Sequence, residues 1–139
     1  MILLDTNVVS EPLRHAPELR VIEWIDAQAM ETLFLPAITV AELRAGVALL
    51  PAGKRRAGLQ ENLEKRVLPL FAGRVLPFDL SAARFLAAYR VPEHAPFDDA
   101  LIAAVAESAE MTIATRNTKH FEPLGVPCLN PWETTASRD

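Results

Sequence analysis

Cysteine is almost absent: the 139 residues contain one, Cys128. A lone thiol excludes an intramolecular disulfide and a cysteine-based zinc site, so a reducing compartment is the simpler expectation. Long apolar runs are missing too, and none reaches the length needed to cross a bilayer. The opening Met1-Ile2-Leu3-Leu4-Asp5 has neither the basic flank nor the apolar core of a signal peptide. Together these absences predict a soluble, cytoplasmic protein with no membrane partner. There is no Gly-rich phosphate loop, no Ser/His/Asp spacing, no internal repeat and no low-complexity tract. His15, His94 and His120 show no metal-ligand spacing and are read as surface residues. Positive charge is scarce: 14 Lys and Arg against 18 Asp and Glu leave a net charge of −4. That weighs against a nucleic-acid binder, unless clustered carboxylates hold metal ions that invert the local sign.

What is present is a hydrophobic half, enough to build one core and hence a single domain over residues 1–139. Ile2-Leu3-Leu4, Leu33-Phe34-Leu35, Val75 to Phe78, Thr112 to Thr115 and Val126 to Leu129 are strand candidates. Helices are expected at about Val8 to Leu13, Glu18 to Met30, Thr39 to Leu50, Lys54 to Leu68, Ser81 to Tyr89, and from Asp98 or Asp99 onward. Alternating strands and helices imply a three-layer α/β/α sandwich around a mainly parallel sheet of four or five strands. In such sheets ligands bind beyond the carboxyl ends of the strands. Asp5 and Thr115-Arg116-Asn117 each follow a predicted strand.

Each acidic candidate has an ordinary explanation beside a chemical one. Asp5, at a strand end, can ligate Mg2+ or Mn2+ or cap the next helix. A haloacid-dehalogenase-type phosphotransferase needs a second Asp two residues on, where this chain has Asn7. Glu42 lies three residues after Thr39, the spacing of a capping box, and is otherwise a metal ligand or its support. Asp98 and Asp99 suit a helix start, yet the apolar helix behind them would hold a first-turn carboxylate rigidly, as a two-metal hydrolytic site requires. Thr115 and Asn117 can orient water or phosphate and Arg116 can pair with phosphate, or the three simply form a turn. Lys54, Arg55, Arg56, Lys65 and Arg66, with Arg44 and Arg116, either track a nucleic-acid backbone or form a solvated face. Trp24 and Trp132 are read as packing or interface residues rather than platforms for bases.

The ordered set says more than its members. Met1-Ile-Leu-Leu-Asp-Thr-Asn-Val-Val-Ser10, Ile38-Thr-Val-Ala-Glu-Leu-Arg-Ala-Gly46, Asp99-Ala-Leu-Ile-Ala-Ala104, Ala114-Thr-Arg-Asn117 and Asn130-Pro-Trp132 closely resemble the PIN-domain ribonuclease toxins of type II toxin–antitoxin modules, the VapC family and its FitB-like branch. The resemblance covers essentially the whole chain. It implies an endoribonuclease dependent on Mg2+, with Mn2+ as a substitute, in which Asp5 and Asp99 bind metal. Glu42 and Asn117 would complete the catalytic set, and Thr6, Asn7, Thr115 and Arg116 would support it. Asp99 is chosen over Asp98 because it immediately precedes the Ala-Leu-Ile-Ala-Ala run. The implied partners are an RNA substrate and a cognate DNA-binding antitoxin, VapB-like or FitA-like, through which alone the toxin meets operator DNA. A homodimer or a toxin–antitoxin hetero-oligomer is expected, with Leu19 to Trp24 a candidate interface. The chain departs from the pattern in three ways. The link between Tyr89 and Asp99 is short, Asn117 leaves the fourth acidic position neutral, and His120 stands where many relatives have an acid. Fewer carboxylates imply one tightly held ion in the absence of substrate. The rival readings are a PIN-like nuclease acting on DNA and a non-catalytic binding module whose acids accept a partner's Arg.

Overall fold

Ile2–Leu4 (β1) is the strand on which everything else is built, and its side chains divide the core in two. Leu3 faces one layer and Leu4 the other, both almost wholly buried, as the pleat of a strand dictates. The same alternation holds in Leu33–Pro36 (β2), where Leu33 and Leu35 point to one side and Phe34 to the other. In Thr112–Ala114 (β4), Ile113 and Ala114 separate likewise. Val75–Leu76 (β3) and Cys128–Leu129 (β5) complete a five-stranded sheet in the order β3-β2-β1-β4-β5. Every pairing is parallel, with Ile2 opposite Leu33 on one side and Thr112 on the other. The computed structural model describes residues 1–133.

Thr6–Ser10 (α1), Leu19–Asp26 (α2), Ala37–Ala48 (α3) and Lys54–Asn62 (α4) precede β3. Leu80–Ala83 (α5), Leu86–Tyr89 (α6), Phe97–Ala109 (α7) and Thr118–Phe121 (α8) follow it. One core joins α7 and its neighbours to Leu3 and Ile113; the other joins Val8, Val9, Val21, Leu43 and Leu63 to Leu4, Leu33 and Leu35. The result is the expected three-layer sandwich. No helix among the described residues is long and apolar enough to cross a membrane.

Several element boundaries differ from the sequence reading for local reasons. Helix α1 begins at Thr6, capped by Asp5, and passes into a 3-10 turn over Glu11–Leu13, where Pro12 cannot donate a helical hydrogen bond. Helix α2 ends at Asp26. Helix α3 starts at Ala37, so Thr39 lies inside its first turn. Helix α4 widens into a π turn at Leu63–Val67 and then tightens to 3-10 at Leu68–Phe71. The segment expected as one helix from Ser81 to Tyr89 is two short ones, α5 and α6.

Candidate active site

Strand β1 has β2 on one side and β4 on the other, so its carboxyl end opens onto the crevice where connections leave in opposite directions. Asp5 occupies that point. Its backbone N–H continues the sheet by donating to the Ala114 carbonyl at 3.0 Å. Its carboxylate accepts from the Thr6 N–H at 2.7 Å, from the Thr115 hydroxyl at 2.8 Å and from Asn7 Nδ2 at 3.2 Å. It is 3 % exposed. Capping and chemistry are therefore not alternatives: one oxygen caps α1, the other meets Thr115 and Asn7.

Glu42 takes a role that its spacing concealed. The capping box expected between Thr39 and Glu42 does not form, because α3 begins before Thr39 and has Pro36 at its cap position. Thr39 is fully buried, donates to the Leu4 carbonyl at 3.4 Å and lies 3.1 Å from the Thr6 hydroxyl. The Thr6 hydroxyl donates to Glu42 Oε1 across 36 residues of sequence. Helix α3 thus directs Glu42 into the crevice, where Asp98 lies within hydrogen-bonding reach of it.

Helix α7 presents both acids of its first turn. Asp99 is buried and Asp98 exposed. His120, from α8, sets Nδ1 2.5 Å from Asp99 Oδ2. The surface reading of His120 is therefore corrected: it is half-buried against the acid of another element. His15 and His94 are exposed as expected. Thr115 is fully buried and its hydroxyl also accepts from the Asn117 N–H at 2.9 Å. The Asn117 side chain is exposed and makes no hydrogen bond to a described residue. Asn7 Oδ1 accepts from the Arg116 N–H at 3.1 Å, locking the loop after β4 to the loop after β1.

The structure thus gathers Asp5, Thr6, Asn7, Glu42, Asp99 and Thr115 at one edge. It adds Asp98, Thr39 and His120, which the sequence reading either left open or placed elsewhere. The only signal for His120 was its departure from the acid expected at that position.

The electrostatics follow from burial that the local hydrogen bonds only partly offset. Asp5 is pushed up to about 6, first by burial and further by the charge of Asp99, against the pull of Thr115, Thr6 and Asn7. Glu42 is pushed up to about 7, by burial first and then by its approach to Asp98, with Thr6 opposing. Asp99 is raised by burial, which outweighs its hydrogen bond to His120. Among the described residues no Lys or Arg forms an ion pair with any of these four acids. Buried carboxylates are normally paired or coordinate a metal. Among the described residues no three His, Cys, Asp or Glu side chains already close around one ion. The donors nevertheless fit a hard divalent cation: carboxylate oxygens raised in proton affinity first by burial and then by one another, with no Lys or Arg partner among the described residues.

Fold and site define a class: a parallel α/β protein that concentrates carboxylates at its topological switch point. Comparison with known proteins makes it specific. The family model described as PIN domain matches residues 2–125, and the chain belongs to that family. It is 51% identical to VapC ribonuclease Y4jK of Sinorhizobium fredii over 138 residues, 96% of this chain and 99% of that protein. Identity to Toxin FitB of Neisseria gonorrhoeae is 50% over 137 residues, 95% and 99% of the two chains. The solved structure of FitAB bound to an IR36 DNA fragment superposes with a TM-score of 0.90 at 47% identity, covering 99% of this chain and 100% of that one.

Proposed function

We propose that this protein is the toxin of a type II toxin–antitoxin module, a nuclease that hydrolyses RNA phosphodiester bonds with the help of a divalent metal ion. The observation that carries the reading is the set of four carboxylates at the β1–β4 crevice, none of them paired with a Lys or Arg among the described residues. Likeness to proteins named ribonuclease and toxin supports the class of reaction. Likeness to a FitAB complex supports a small DNA-binding partner that carries the toxin to DNA. The cytoplasm is the compartment this reading requires.

Asp5 and Asp99 would hold Mg2+ or Mn2+, with Glu42 completing the set. When bound, such an ion supplies Lewis-acid polarisation of a phosphoryl oxygen and acidifies a water. The protein's own groups do the rest. Thr115 and Asn7 hold the Asp5 carboxylate in one orientation, and Thr6 does the same for Glu42, so little reorganisation accompanies substrate binding. Burial of Asp5 and Thr115 excludes bulk water from the floor of the crevice. His120 steadies Asp99 from the solvent side.

Purified protein assayed on RNA tests this directly. Cleavage is expected with Mg2+ or Mn2+ and not with EDTA. Asp5→Asn and Asp99→Asn should each lower kcat/KM by at least about a hundredfold, the scale of losing a metal-shell group. Cleavage undiminished in both variants would refute the assignment.

A further inference from the structure

Arg116 is the first residue beyond Thr115, and its backbone is tied through Asn7 to Asp5. Its side chain leaves the carboxylate crevice and lies over the Trp132 ring, the guanidinium carbon 5.1 Å from the ring centroid. Arg116 is exposed and Trp132 half-buried. Among the described residues the guanidinium has no carboxylate partner. By contrast Arg14 pairs with Glu11, Arg44 with Glu64 and Lys65 with Glu61. Those last two pairs neutralise part of the basic stretch that the sequence offered as an RNA track, whereas Arg116 follows directly on Thr115, which bonds Asp5.

The stack adds to polar ties that already hold the turn around Trp132. Arg20 Nη1 donates to the Trp132 carbonyl at 2.7 Å. Asn130 accepts from the Trp132 N–H at 2.9 Å and donates to the Arg116 carbonyl at 3.4 Å. Three polar ties thus fix the turn and the loop, and the guanidinium sits over the ring in addition to them. Beside it is an open cleft of about 460 Å³ bordered by Glu11, Arg14, Glu18, Leu19, Arg116 and Trp132. A planar cation on an indole offers a stacking face together with N–H edges for a phosphate. Single-stranded RNA is recognised by this combination: unstacked bases on aromatic or guanidinium planes, with the backbone held by charge.

We propose that the Arg116–Trp132 stack and the cleft beside it form the subsite for the nucleotide flanking the scissile phosphate of a single-stranded RNA. The inference rests on the ribonuclease reading and deepens it, by placing strand selectivity on residues outside the acidic set. Helical RNA keeps its bases stacked on each other and cannot offer one to the guanidinium.

The test separates binding from cleavage. In full-length protein carrying Asp5→Asn and Trp24→Phe, Trp132 is the sole tryptophan, and EDTA keeps the RNA intact. A short single-stranded RNA of mixed sequence is titrated while Trp132 emission and the anisotropy of labelled RNA are followed. Saturable quenching with the single strand and at least about tenfold weaker binding of its duplex are expected. Arg116→Ala should weaken single-strand binding by about tenfold and flatten the salt dependence by about one phosphate contact. Arg116→Lys should retain the salt dependence and still lose affinity, which identifies stacking rather than charge alone. Binding without a change in Trp132 emission, binding unaltered in Arg116→Ala, equal affinity for duplex, or no RNA binding at all would each overturn the subsite. Cleavage that persists in Asp5→Asn would refute the metal-site reading and leave the binding result standing.

Discussion

A buried carboxylate surrounded by other carboxylates holds its proton more tightly than it would in water, and the folded state then carries a pH signature. Asp5, raised from the ordinary aspartate value of 3.8 to about 6 and 3 % exposed, sets the sign. Between those two values the folded protein binds a proton that the unfolded chain has released, so stability falls as pH rises through that window. Glu42, lifted to about 7, acts in the same direction and extends the window upward. In EDTA, melting should therefore occur several degrees higher at pH 5 than at pH 7.5. Asp5→Asn should flatten much of that slope and raise the neutral-pH melting temperature. Mg2+ or Mn2+ should stabilise the unaltered protein most at neutral pH, where the acids are charged, and should do little for the variant. Thermal melts across pH, with and without metal, check all three statements; stability that rises from pH 5 to pH 7.5 in EDTA would contradict the assignment of uncompensated acids.

Among the helices, α7 has the tightest constraint. Ala100, Ile102, Ala103, Ala104 and Ala106 are fully buried along it, and the small side chains let the helix lie close to the sheet. Its first turn carries Asp99, so packing along the helix and geometry at the site are one problem. Ala103→Leu should cost about 1–3 kcal/mol by overpacking and weaken Mn2+ binding as well, although residue 103 touches no metal; urea unfolding and calorimetry measure the two. Elements of this kind were the legible part of the sequence. The apolar triplets of β1 and β2 and the Ala-rich run after Asp99 announce their structures locally. The unreadable part is contact between distant residues. Thr39 and Glu42 have capping-box spacing, and only the hydroxyl of Thr6, 33 and 36 residues away, reassigns them. His120 gave no sign of its partner because Asp99 lies 21 residues back on another helix. Likewise nothing around Trp132 announced Arg116, since stacking leaves no periodicity.

For the whole molecule, the sheet order places the first strand of the chain at its centre, between β2 and β4. Removing residues 1–4 deletes Leu3 and Leu4, which face opposite cores, and takes away the hydrogen-bonding partner of both neighbours. The truncated chain should show no cooperative thermal transition by circular dichroism, whereas a folded truncation would mean the two halves cohere without β1. The same topology acts on time as well as on stability. Asp5 is synthesised well before its Thr115 partner, 110 residues further along the chain, and before the strand that supports both. At ordinary elongation rates that interval is roughly 5–20 s. Throughout it the nascent chain possesses the leading acid and lacks the pocket. The acidic centre is therefore incomplete on the ribosome until Thr115 and β4 have been made.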